Sequence, residues 1–262
     1  MKKHISDNRN EPRKRNRVFL VLMIFAGILL LTGVGFLLVE PIKSIKREKI
    51  TDDAVEVMAS QMSQALATAG PSATYDPESD IEATYIVPRD GNEVPGEDYD
   101  FFDDDEGMQA SVRAFVSSRQ AKLPKNVTLV CIGVIKIESI GKTLPVWNST
   151  STVALRYGVG LYEQSVKPGK PGNSAILGHN MQNTTLFSKL KKANKGDNVK
   201  FIKLDGTVLN YRIDDIKIVY KNELYQYVIK SASETQQLTL VTCANDDYGH
   251  GYRRVVICHP VN

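Results

Sequence analysis

The most uniform stretch of the chain comes early. Residues 18–39 (VFLVLMIFAGILLLTGVGFLLV) carry no charge. At 1.5 Å per helical residue this run reaches about 33 Å, which matches a hydrocarbon core. A cleavable signal peptide is the competing reading, but its apolar region is shorter, about 7–15 residues, and ends in small residues. Here the run ends Val39-Glu40-Pro41, so the pattern predicts an uncleaved transmembrane anchor at 18–39. Lys2, Lys3, Arg9, Arg13, Lys14, Arg15 and Arg17 precede it; Lys43, Lys46, Arg47 and Lys49 follow. The positive-inside rule then makes residues 1–17 a basic cytoplasmic tail and puts the bulk of the chain outside.

Beyond the anchor the pattern changes three times. Ala54, Val57, Met58, Met62, Ala65 and Leu66 recur at helical spacing within residues 43–69. Residues 71–106 hold thirteen Asp or Glu against the single Arg89. Such a composition buries too little apolar surface to order itself, so residues 40–107 read as an extracellular stalk and acidic linker. Its Tyr75, Tyr85, Tyr99, Phe101 and Phe102 leave a second reading open, a lid folded over the domain that follows. An amphipathic helix is expected over Met108–Ala121. After Pro124 the chain turns to short β-rich runs at 127–136, 174–177, 198–204, 208–213, 238–242 and 253–258, with helical excursions at 186–192 and 222–229. Turn signals such as Asp205-Gly206 separate several of them, which argues for an all-β barrel or sandwich.

Charge and cysteine content narrow the function classes. The net charge of +3 is spread unevenly, and no basic stripe runs through residues 127–262, which sets nucleic acid aside as a partner. Cys131, Cys243 and Cys258 are too few and too scattered for a disulfide framework, and no CxxC spacing points to a metal. An odd count in an exported chain leaves at least one free thiol.

Cys243 ends the apolar run Gln-Leu-Thr-Leu-Val-Thr-Cys and begins a polar loop, so its thiol is held by a strand yet reachable. Cys131 and Cys258 sit inside apolar runs and read as core thiols. A catalytic Cys needs a proton acceptor nearby, usually His. His4 is cytoplasmic; His179 stands just past the strand Ser174–Gly178, the same position relative to a strand end as Cys243, while His250 and His259 remain alternatives. Acyl transfer also needs an oxyanion donor. Arg253 and Arg254 open the last strand, and since neighbours on a strand face opposite ways, only one of them can look toward Cys243.

Residues 127–262 resemble the sortases, cysteine transpeptidases of mainly Gram-positive bacteria. Thr239, Leu240, Thr242 and Cys243 match the family's TLxTC signature, Gly178-His179 is similar to its catalytic His motif, and Arg254 before Val-Val-Ile matches its catalytic Arg. Leu186-Phe187, Leu190 and Gly196-Asp197 resemble its FxxL…GD stretch. The resemblance implies a closed eight-stranded β-barrel at 108–262 with short helices, and Cys243, His179 and Arg254 as the catalytic set. It implies no cofactor and no metal; calcium binding, known in some members, has no matching residues here. Cys243 would attack an LPxTG-like sorting signal of a surface or pilin protein after its Thr. An amine of a peptidoglycan precursor, or a pilin Lys, would then take the acyl group.

The segment 135–160, with Leu144-Pro145-Val146-Trp147 and Tyr157-Gly158-Val159-Gly160, looks most like the class D enzymes. Class C pilin polymerases carry an Asp-Pro-aromatic lid and a second, C-terminal span. Here Asp76-Pro77 is followed by Glu78, and the chain ends at Asn262. The alternatives are a class C-like pilin polymerase, a hydrolytic cysteine protease and a non-catalytic surface binding module.

Overall fold

The computed structural model describes residues 11–68, 81–89, 124–180, 186–229, 235–249 and 251–261. Its strands are β1 (Ala83–Pro88), β2 (Asn126–Ile137), β3 (Lys142–Trp147), β4 (Val159–Leu161), β5 (Gly172–Leu177), β6 (Asn198–Lys203), β7 (Val208–Tyr220), β8 (Gln236–Cys243) and β9 (Tyr252–Pro260). Helix α1 spans Glu11–Thr68, and three short helices follow: α2 (Thr152–Arg156), α3 (Tyr225–Val228) and α4 (Asn245–Tyr248). The helix expected at 108–121 and the residues Tyr75, Tyr99, Phe101 and Phe102 lie outside the described residues.

The strands pair in the order β2-β3-β4-β5-β8-β9-β7-β6, and β6 returns to β2. This is the closed eight-stranded barrel implied by the resemblance. β3–β4 and β5–β8 are parallel, and the other pairs are antiparallel. Closure depends on β2, one edge of which serves two partners in turn: β1 along Asn126–Cys131 and β6 along Gly133–Ile137. The change of partner falls at a register shift between Cys131 and Gly133, where a bulge bends the strand. Only glycine fits at that bend. A Cβ on Gly133 would lie 2.5 Å from the Ile202 carbonyl oxygen, at φ +154°.

β1 is a strand within the acidic segment. Its run Ala-Thr-Tyr-Ile-Val is uncharged and β-prone, a feature masked when the whole segment is averaged. β3 and β4 also went unpredicted, since Pro145 argues against an interior strand and Val159-Gly160-Leu161 is only three residues long.

The barrel interior is filled by Ile135, Ile137, Val199, Phe201, Tyr211, Leu238, Leu240 and Val256. A second apolar cluster forms outside β2, where Ala54, Met58 and Met62 of α1 meet Val87, Leu129, Cys131, Trp147 and Tyr157. The three helix residues are four apart and share one face. Polar bonds fix the arrangement: Thr51 Oγ1 donates to the Tyr157 carbonyl at 3.2 Å, and Tyr157 Oη donates to the Pro88 carbonyl at 2.8 Å.

The chain divides into two compact units, residues 1–46 and 47–262. In the first, α1 leaves Phe19, Leu30 and Leu31 66%, 66% and 70% exposed. Among the described residues no helix is long and apolar enough to cross a membrane.

Met58 is fully buried and Val57 is 38% exposed. Met58→Ala is expected to lower unfolding free energy by about 2–5 kcal/mol. Val57→Ala should stay within about 0.5 kcal/mol, both read from denaturant unfolding.

Candidate active site

The site starts from two parallel neighbours. β5 and β8 run in register from Gly172↔Gln236 to Leu177↔Val241, so the chain positions two residues further on, His179 and Cys243, fall at the same level. Three bonds hold the two chain ends beside each other. The Gly178 amide donates to the Val241 carbonyl at 3.0 Å. Thr242 Oγ1 donates to the Gly178 carbonyl at 2.7 Å, and Asn180 Nδ2 donates to the Cys243 carbonyl at 2.9 Å. Gly178 is required by space, because a Cβ there would lie 2.6 Å from the Phe187 ring and 2.7 Å from a Val159 methyl.

Cys243 is 9% exposed and belongs to an apolar cluster on the outer face of the barrel wall with Leu155, Ala175, Leu177, Val241 and Val255. α3 covers part of this face and is tied down by a buried polar group. Asn173 Nδ2 donates to the Tyr227 and Val228 carbonyls at 2.8 and 3.3 Å, and Thr239 Oγ1 donates to Asn173 Oδ1 at 2.7 Å.

The two arginines separate as strand alternation requires. Cys243 stands directly opposite Arg253, and Thr242 opposite Arg254; directly opposed residues share a face. Arg253 therefore lies on the Cys243 face, where it is 1% exposed. Arg254 points to the other face and pairs with Asp247 Oδ2 at 3.4 Å. Lys191, on the 3₁₀ turn after His179, reaches the same carboxylate at 3.7 Å. The motif match selected Arg254; the register brings Arg253 to the thiol's side. Counting opposed pairs back from Cys243 gives this placement.

His179 is partly accessible but closely surrounded by protein. Its pKa is lowered to about 4, first by desolvation and then by the positive charge of Arg156 at the end of α2. The imidazole is therefore neutral at physiological pH and able to accept a proton. Cys131 and Cys258 are fully buried. Burial raises the Cys131 thiol to about 11 and pushes Cys258 well above the usual range, so both stay protonated. None of the three cysteines is in a disulfide. His259 lies at the far end of β9, 3.6 Å from Asp214, and His4 and His250 lie outside the described residues. Among the described residues no group of three His, Cys, Asp or Glu is placed to hold a metal ion.

Residues 135–261 match the family profile described as the sortase domain. The chain carries a sortase domain. It is 30% identical to Sortase D of Bacillus subtilis over 126 residues, which is 48% of this chain and 61% of that protein, so the match spans less than two thirds of the relative. Sortase C1 of Streptococcus agalactiae is 29% identical, with a TM-score of 0.45 over 50% of this chain and 68% of that one. The Clostridium perfringens Sortase D5 transpeptidase is 25% identical, with a TM-score of 0.45 over 50% of this chain and 79% of that one.

Within the sortase domain the state of His179 can be measured directly. Its imidazole resonances should show no protonation until about pH 4, and Arg156→Gln should raise that midpoint. The unfolded chain takes up this proton near pH 6.5, so the group's contribution to stability is lost as pH falls from about 6.5 to 4. His179→Asn should remove that part of the acid sensitivity in thermal unfolding scans.

Proposed function

We propose that this chain is a membrane-anchored sortase. It cleaves an LPxTG-like sorting signal after Thr and joins the acyl group to an amine of a cell-wall precursor. The observation that carries the reading is the convergence of Cys243, His179 and Arg253 at one end of the β5–β8–β9 wall of a sortase domain. Neutral His179 takes the thiol proton as sulfur bonds to the scissile carbonyl carbon. It returns that proton to the leaving nitrogen as the C–N bond breaks, which leaves a thioester on Cys243. The incoming amine attacks the thioester and gives its proton to His179, the C–S bond breaks, and the thiolate is reprotonated. Arg253 stabilises the oxyanion in both halves.

Anchoring is supported by the uncharged run 18–39 and by its exposed side chains at Phe19, Leu30 and Leu31. With the basic tail inside, the sortase domain faces the outside of a Gram-positive cell. A class D assignment is supported by the likeness to Sortase D.

The test incubates the full chain in detergent with quenched LPxTG and LPxTA peptides, with and without triglycine, a diaminopimelate-like amine or a lysine peptide, and reads products by mass spectrometry. An amine-ligated product cut after Thr is expected. The amine that ligates best separates a cell-wall acceptor from a pilin Lys, and hydrolysis unaffected by any amine would overturn the transpeptidase reading. Cys243→Ala should abolish turnover. Arg253→Ala should lower kcat by about 10²–10³, while Arg254→Ala should cost less than about tenfold. The reverse order would return the role to Arg254.

A further inference from the structure

The parallel β5–β8 ladder ends at the pair Leu177↔Val241. Its last main-chain bond runs from the Gly178 amide to the Val241 carbonyl. In a parallel ladder the two strands donate in turn, so the next β5-side amide to donate would be that of Asn180, to the Cys243 carbonyl. In its place stands the Asn180 side chain, with Nδ2 2.9 Å from that carbonyl oxygen. The Asn180 main chain has turned away and bridges Leu186 instead, and the Phe187 amide donates to the His179 carbonyl at 3.2 Å. His179 thus leaves the sheet while the rung beside it is kept.

The far foot of this excursion is constrained too. Leu186 has φ +47° and ψ −129°, a conformation that a side chain with a Cβ rarely adopts. Its side chain is 3% exposed within the barrel interior, which holds the strain in place. Asn180 and Leu186 are therefore each held in place, Asn180 through Cys243.

We propose that Asn180 is a positioning residue of the reaction: its carboxamide supplies the missing rung and so fixes Cys243 relative to the imidazole of His179. This rests on Cys243 and His179 being the reacting pair. The residue type fits the task. A carboxamide carries two N–H donors, whereas an Asp carboxylate of the same shape accepts only and would face the carbonyl oxygen with a negative charge. A serine hydroxyl lacks the reach.

The test compares the native full chain in detergent with Asn180→Ala and Asn180→Asp. Three quantities are read: thermal stability, the rate of Cys243 alkylation by iodoacetamide, and kcat and KM for an LPxTG peptide. Both variants should lose about 2–4 °C of Tm, the share of one hydrogen bond. Both should alkylate about tenfold more slowly and show kcat about tenfold lower at unchanged KM. Asp should be no better than Ala despite its shape. Alkylation and kcat within about threefold of native in the two variants would overturn the proposal, as would a loss confined to KM. If the native chain turns over no peptide, the proposed function fails, while Asn180 is still judged by alkylation alone. Should Ala unfold the chain, the isosteric Asp carries the comparison.

Discussion

Parallel strands that are hydrogen-bonded in register end at one level and point the same way. In this chain that constraint applies to β5 and β8, and much else follows from it. Each strand leads to a residue of the candidate site two positions past the last β5–β8 pair. The pairing therefore brings His179 and Cys243 together although they are far apart in sequence. β9 adds the third group by lying antiparallel against β8, which sets Arg253 opposite Cys243. The long, bulged β2 matters to this because it lets the wall close; an open sheet would leave β5, β8 and β9 with less to hold their ends at a common height.

Electrostatics then divides the roles among like residues. Three thiols share one oxidation state, yet two are sealed in the core and only Cys243 sits at a strand end beside a neutral imidazole. Desolvation does the sorting. It keeps the core thiols protonated, and with the help of Arg156 it keeps His179 uncharged. His179 is thus held neutral at the end of β5, level with Cys243 at the end of β8. The arginines are sorted by geometry: one lies on the Cys243 face, and the other braces the loop after Cys243 through Asp247, which Lys191 also contacts from the His179 side.

Much of this was legible in the residues. Uninterrupted β runs with turn signals gave six of the barrel strands, and Cys243 and His179 stand at strand ends as their flanking residues suggested. What could not be read follows physical lines. β3 contains a proline and β4 is three residues long, so neither shows a period. β1 is hidden among acidic neighbours whose average argues against order. The choice between Arg253 and Arg254 turns on register, and a one-residue difference reverses the face. The bond from Asn180 to the Cys243 carbonyl could not be read, because nothing in a sequence says that a side chain will reach a neighbouring strand's main chain.

The strip of β1 and the Met58 face of α1 has a practical consequence for handling the protein. A fragment trimmed to begin after the acidic segment would retain every reactive group. It would also strip the first half of β2 of its partner along Asn126–Cys131 and uncover the apolar surface around Trp147 and Leu129. An unpaired edge beside a bare aromatic patch is a template for self-association. Poor solubility of such a fragment would therefore reflect a missing cover, and one that starts at Arg47 retains both α1 residues 47–68 and β1 as its own cap.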